Sequence, residues 1–549
     1  MPFEHFDGTQ YWSYPRILQW CSDFVAHYSD FARMDVIGHT KEQRPIVLIT
    51  LGQASEDSPM LWLDGGTHAS EWAGVMATIY SLSEWARELH ELGGITRFSE
   101  SCVAVVPCIS PDGYQAMFEG APFLRSSLRR PKPGSFIQGL SPQDIDGDSR
   151  VRLMRWRDPA GPYVLDTAEP IGVRPRLLGD DPSKACFLAH EGLFVNWDGA
   201  AWVQAPRIHG VDLNRNFPIA WKPFSMFGMD GGAYPLSEPE SRAVMDAVHA
   251  RPNIAAALTN HTYTGALLTQ PYSDAPQLGE ADIRMMRRLA FQITQDTSYR
   301  VLSVYPDFSY DPKRRIVGVW ADCLSSTLGI PAYTLELWNP FKWAGVELEK
   351  PASFFMDPDP NVVSALLGKA SEDLFSCWVP FNHPQLGRVE LGGIDYLRTI
   401  RNPPESLLQE ECKEAHKVAN ALLSALPQLK VRVDIERVSD DVFVVRALFV
   451  NEGFLPAHSL QRALDLDLAP SVFVTLELLD GGTIVEGKKI QPLGGLGGWG
   501  GVQPNALYPS LPPLSHQKVV RWVVSGTGVA RIHWDGGRAG KGSAQIRLM

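Results

Sequence analysis

The stretch Met60-Leu-Trp-Leu-Asp-Gly-Gly-Thr-His-Ala-Ser-Glu-Trp-Ala-Gly74 decides how the rest of the chain is understood. Its first residues are a short apolar run, the pattern of a strand covered on both faces. Gly65 and Gly66 then allow a sharp backbone turn, and His68 and Glu71 follow three residues apart. That spacing at a helix start puts both side chains on one side. Imidazole and carboxylate are donors for a catalytic zinc, which takes three protein ligands and keeps a position for water. Taken alone, the pair is also what an ordinary strand-to-helix turn offers, since an acid suits a helix N-terminus.

The surrounding chain alternates strand-like and helical patterns from residue 10 to about 400, which predicts an α/β sheet. Strands are expected at Ile46–Leu51, Met60–Asp64, Cys102–Val106, Ile254–Thr259 and Ala332–Leu337. Helices are expected at Pro15–Tyr28, Trp72–Leu92, Glu238–Ala250 and Glu280–Thr297. Between Arg130 and Gly210 the pattern dissolves into Pro, Gly and Asp, as in a decorating insertion. From about residue 428, runs such as Val431–Ile435, Val442–Val450, Ser471–Leu478, Val519–Val524 and Gly528–Trp534 predict an all-β sandwich. The expected domains are 1–425, with the insertion at about 130–210, and 428–549.

With 549 residues the chain exceeds what one core serves. A net charge of -12 argues against a nucleic-acid surface. No apolar run approaches the roughly 20 residues that span a bilayer, and no signal peptide is visible. Seven scattered cysteines without a CxxC pair fit reduced thiols, so a cytoplasmic location is expected.

Three further stretches bear on His68 and Glu71. Ala255-Ala-Ala-Leu-Thr-Asn-His-Thr-Tyr263 places His261 where an apolar strand runs out. The carboxyl edge of a sheet is where α/β proteins put their chemistry. Ile330-Pro-Ala-Tyr-Thr-Leu-Glu-Leu-Trp338 sets Glu336 inside an apolar run, and a carboxylate there is either a strand-end surface group or a functional base. Gly210-Val-Asp-Leu-Asn-Arg-Asn-Phe-Pro218 packs Asn214, Arg215 and Asn216 into a turn. An Arg beside an Asn suits a carboxylate ligand, although Asp212 could simply pair with Arg215.

Together, His68-Ala-Ser-Glu71, Asn214-Arg215-Asn216, His261-Thr262-Tyr263 and Thr334-Leu-Glu336 resemble the zinc metallocarboxypeptidases of the carboxypeptidase A/B type. The resemblance covers roughly residues 10–400, with support from Pro111-Asp-Gly-Tyr114 and Ser237-Glu-Pro-Glu-Ser241. It implies a mixed eight-stranded sheet flanked by helices and one Zn2+ per chain held by His68, Glu71 and His261. It implies Glu336 as general base and acid, Arg125 as the group polarising the scissile carbonyl, and Asn214 with Arg215 as the clamp on a free peptide C-terminus. Tyr263 joins them on the substrate side. Arg125 lies in Phe123-Leu-Arg-Ser-Ser127, which departs from the family's Trp-Arg-Lys, so Arg129 is the alternative. The family's mobile tyrosine falls at Arg314, leaving Tyr310 as the nearest candidate, and Asp322 matches the Asp that follows it.

The expected activity is zinc-dependent removal of a C-terminal residue from a peptide. Two alternatives stand beside it: a zinc amidohydrolase acting on cell-wall peptides or acyl-amino acids, and a non-catalytic peptide-binding protein. Three weaker signals are expected to be structural. Asp144-Ile-Asp-Gly-Asp148 echoes a calcium loop but has Gly at the fourth position and Arg155 at the twelfth, so a solvated acidic turn pairing with Arg150 or Arg152 is expected. Gly495-Leu-Gly-Gly-Trp-Gly500 matches GxGxxG with no helix behind it. His383 lacks a partner at ligand spacing.

Overall fold

The structure is a computed structural model describing residues 3–52, 57–91, 98, 100–121, 124–129, 136–148, 150–200, 202–205, 210–223, 225–226, 229–309, 316–469 and 472–549. At its centre is an eight-stranded sheet. Its strands are β1 (Ala32–His39), β2 (Pro45–Leu51), β3 (Met60–Gly65), β4 (Cys102–Val106), β5 (Ile254–Thr262), β6 (Ala266–Thr269), β7 (Arg300–Ser303) and β8 (Ala332–Leu337). The order across the sheet is β1-β2-β4-β3-β5-β8-β6-β7. β3 pairs in parallel with β4 and β5, and β5 with β8, while β1–β2, β2–β4 and β6–β8 are antiparallel.

The apolar strands work by alternation. Leu61, Leu63, Val103, Val105, Leu335 and Leu337 enter one core, under the helices Tyr14–His27, Trp72–Glu91 and Glu405–Ser424. Met60, Trp62, Cys102, Ala104, Val106 and Ala332 enter the other, under Pro239–His249 and Trp320–Leu328. Helix Tyr14–His27 forms because its buried Tyr14, Ile17, Cys21 and Phe24 recur at helical spacing and Pro15 opens it. With both faces covered, the carboxyl ends of β3, β5 and β8 are left as the place where polar side chains can gather.

The expected irregular insertion is more ordered than its composition suggests. Leu153–Arg157, Ala185–His190, Tyr163–Leu165 and Val173–Pro175 join Phe375–His383 and Gly387–Ile394 in a six-stranded sheet. These segments are short and carry Arg, Trp and Pro, so neither periodicity nor length marks them. Residues 429–548 hold two four-stranded sheets whose inward residues, among them Phe443, Val445, Val474, Leu476, Trp522 and Ile532, share one core. The mixed sheet with its helices and this C-terminal all-β region match the expected fold class.

Candidate metal centre

β3 delivers the chain into the turn holding His68 and Glu71, and helix Trp72–Glu91 begins immediately after it. The turn is closed by Glu71 N–H donating to His68 O at 3.2 Å. Gly66 adopts φ +67°, a conformation that favours glycine. Asn402 fastens the turn from outside: its Oδ1 accepts from Ala73 N at 3.0 Å and its Nδ2 donates to Ser70 O at 2.8 Å. β5 ends nearby, and parallel pairing sets His261 opposite Glu336 of β8.

These placements bring three side chains together. His68 Nδ1 lies 2.8 Å from Glu71 Oε1, His261 Nδ1 lies 2.9 Å from Glu71 Oε2, and the two Nδ1 atoms are 3.0 Å apart. All three side chains are buried. Donors around a tetrahedral zinc with bonds of about 2.0–2.1 Å sit roughly 3.3 Å from one another, so this cluster has the size and donor types for that ion. Two imidazole nitrogens facing each other across a carboxylate suit a shared cation better than a shared proton, since each nitrogen can offer a lone pair. The His68, Glu71 and His261 set therefore fits a metal.

Around it stands a charged shell that the motifs did not announce. Asp212 Oδ1 lies 3.4 Å from His68 Nε2 and accepts from Asn214 N at 2.9 Å, while its Oδ2 lies 3.3 Å from Arg125 Nε. Burial opposes ionisation of Asp212, but Arg125 and Arg215 hold its carboxyl well below the usual carboxylate range. Arg401 donates to Glu71 Oε1 and lies over the Tyr263 ring, 5.2 Å from its centroid. Burial would likewise raise Glu71, yet His68, Arg401 and His261 hold it well below its ordinary value. Glu336 moves the other way: burial first and the Glu71 carboxylate second push it up to about 7, against His261, Arg401 and Arg125.

The remaining candidates divide by geometry. Arg125 reaches the cluster, with Nη1 3.3 Å from Glu71 Oε1. Arg129, the alternative, is paired with Glu238 and with Glu240, the latter at 2.8 Å. Asn214 and Arg215 are buried in the turn Leu213–Arg215, where Asn214 Oδ1 accepts from Trp320 N at 2.8 Å. Tyr263 packs against Phe341 and Phe355. Asp322 is buried in helix Trp320–Leu328 and accepts from Gln270 Nε2 at 2.9 Å and Ser326 Oγ at 2.7 Å. Tyr310 lies outside the described residues. His383 ends the strand Phe375–His383, and its ring meets Gly192 O at 2.8 Å and the Gln385 and Leu386 amides of the turn that follows.

Among known proteins, the model of the zinc carboxypeptidase family matches residues 17–342, more than half of the chain. A second model, of a domain of unknown function, matches residues 428–547. The chain is 31% identical over 112 residues to carboxypeptidase B of Astacus astacus, covering 20% of this chain and 36% of that protein. It is 23% identical over 277 residues to carboxypeptidase O of Bos taurus, covering 49% and 54%. It is 32% identical over 137 residues to the inactive metallocarboxypeptidase ecm14 of Talaromyces stipitatus, covering 24% and 22%. The chain thus spans about a third to a half of the length of the first two relatives. Among solved structures, bovine thrombin-activatable fibrinolysis inhibitor in complex with tick carboxypeptidase inhibitor aligns at TM-score 0.39 and 17% identity, over 66% of this chain and 97% of that one. On the strength of the match over 17–342, this chain belongs to the zinc carboxypeptidase family, and zinc is its cofactor.

Proposed function

We propose that the protein is a zinc-dependent metallocarboxypeptidase that hydrolyses the C-terminal peptide bond of a peptide with a free C-terminus. The observation that carries this is the meeting of His68, Glu71 and His261 within 3.0 Å, with Glu336 on the strand paired to His261. When bound, zinc supplies a Lewis acid and brings the pKa of a water toward neutrality. Glu336 then takes the proton of the attacking water and returns it to the leaving amine, a role that suits a carboxyl raised to about 7. Arg125 turns its guanidinium toward the oxygen on which negative charge develops. Asn214 and Arg215 pair with the substrate's terminal carboxylate, which restricts cleavage to the chain end. Tyr263, Tyr310 and Asp322 complete the substrate side of the proposal, and residues 428–549 are an accessory domain.

The test uses zinc-loaded protein and paired peptides with free and amidated C-termini, read by mass spectrometry. Trimming of the free peptides alone, abolished in Glu336→Gln with zinc content unchanged, is expected, the loss being roughly 10²–10⁴-fold. Equal cleavage of amidated peptides would remove the carboxylate clamp from the account. Hydrolysis undiminished in Glu336→Gln would remove the base.

A further inference from the structure

The Asp144–Asp148 turn does more than the sequence predicts. Arg152 does pair with it, reaching Asp146 Oδ2 at 2.9 Å and Asp148 Oδ2. But the fold adds a fourth carboxylate from some forty residues away. Glu191 joins the strands Ala185–His190 and Gly192–Val195, and the ligand atoms of Asp144, Asp146, Asp148 and Glu191 all lie within 4.8 Å of one another. Glu191 is 0% exposed. One of its oxygens accepts from Arg152 N at 3.1 Å; the other, Oε2, is buried with no hydrogen-bond partner among the described residues. A buried carboxylate oxygen without a donor is an unusual thing for a folded chain to keep.

The backbone holds this arrangement in place. Glu191 N donates to Arg152 O at 2.9 Å and Gln143 N to Glu191 O at 3.1 Å, so the hairpin and the acidic turn are tied on both sides of the cluster. Within the turn, Gly147 at φ +83° lets Asp144 Oδ1 accept from Gly147 N at 2.7 Å, and the carboxylates at 144, 146 and 148 come to one side. Arg152 pairs with two of the four carboxylates, Asp146 and Asp148, while Arg150 leans toward Asp395 at 3.8 Å.

We propose that Asp144, Asp146, Asp148 and Glu191 bind one calcium ion, separate from the zinc centre, which fastens the acidic turn to the Ala185–Val195 hairpin. An all-oxygen donor set selects a hard cation over zinc. The donor atoms lie within 4.8 Å of one another, close enough to share one ion, and four protein carboxylates suit calcium's many-oxygen, flexible coordination better than magnesium, which keeps several waters and is usually held by one or two carboxylates. Water fills the coordination positions that protein oxygens do not, and Arg152 shares Asp146 and Asp148 with the ion. The ion supplies the missing partner of Glu191 Oε2.

Titration calorimetry of the zinc-loaded full chain with CaCl2 and with MgCl2 tests this, alongside thermal unfolding at each salt. One calcium ion per chain is expected, with magnesium at least about tenfold weaker, and a calcium-dependent rise in melting temperature. Asp146→Asn combined with Asp148→Asn is expected to weaken calcium binding at least about tenfold while zinc content and circular dichroism stay unchanged; Glu191→Gln serves as the second variant. No saturable calcium binding and no calcium-dependent melting shift in the wild type would overturn the proposal, leaving Arg152 as the counter-ion of Asp146 and Asp148. Equal calcium affinity in wild type and both variants would place the ion elsewhere and overturn it too. Magnesium binding as tightly as calcium would overturn the assignment to calcium.

Discussion

Asp212 shows how a residue outside the ligand set governs it. One of its oxygens lies 3.4 Å from His68 Nε2 and the other 3.3 Å from Arg125 Nε, so a single carboxylate orients His68 and holds the Arg125 guanidinium in place. Asp212→Asn is expected to weaken zinc binding about 10–100-fold, measured by competition with a chromogenic chelator. Retention of wild-type affinity would show that His68 is held by its turn alone. At this scale the sequence was partly legible. His68, Glu71, His261 and Glu336 are ambiguous singly, and it was the joint resemblance of their motifs to the zinc carboxypeptidases that implied their roles. Asp212 was in view but read as a partner for Arg215, and both guanidiniums do lower its carboxyl, Arg125 ahead of Arg215. Arg401 and Asn402 were not in view at all. They meet the 68–73 turn across some 330 residues, and no local pattern encodes such a contact.

Among the elements, helix Pro111–Phe118 positions Arg125 through an absence of bulk. A Cβ added at Gly113 would lie 1.8 Å from Ser126 O, so only glycine lets the 124–127 segment lie against this helix. That segment is then strung between the ligand turn, where Ala69 N donates to Arg125 O at 2.8 Å, and the 211–213 segment, where Leu213 N donates to Ser126 Oγ at 3.2 Å. Gly113→Ala is expected to cost about 3 kcal/mol in urea unfolding and to lower kcat with zinc content unchanged, because the displaced backbone carries Arg125. A variant as stable and as active as the wild type would mean that the segment has room to shift. The sheet's elements were legible because their apolar runs are long enough to show burial on both faces. Predicted and observed bounds agree closely for Met60–Gly65, Cys102–Val106 and Ala332–Leu337. The strands of the insertion were not, since Tyr163–Leu165 and Val173–Pro175 hold three residues each, too few to show a period.

On the scale of the whole molecule, the C-terminal all-β region is joined to the sheet by buried polar contacts. Arg538 donates to Leu328 O at 2.8 Å, Gly329 O at 2.6 Å and His458 O at 3.0 Å, satisfying carbonyls at the end of helix Trp320–Leu328. Ser459 Oγ donates to Ala255 O at 2.9 Å, at the start of β5. His458 is buried beside that guanidinium, and burial first, then Arg538, lower its pKa from 6.5 to about 4. Its folded value is thus depressed, so its contribution is present above pH 6.5 and is lost as pH falls toward 4. The full span amounts to roughly 3 kcal/mol. Urea unfolding at pH 7.5 and pH 5 is expected to show a smaller acid loss in His458→Asn than in the wild type; equal losses would assign the acid sensitivity to other groups. The all-β character of this region was legible from its turns and alternation, whereas its joint was not, because Arg538 and His458 carry no signature apart from the helix end they meet.

The central claim is that residues 68, 71 and 261 hold one zinc ion facing Glu336. Anomalous diffraction at the zinc edge from crystals of the intact chain tests it most directly. A single strong peak within about 2.1 Å of both Nδ1 atoms and a Glu71 oxygen is predicted. A peak elsewhere, or none in protein that remains folded and has been offered zinc, would contradict it.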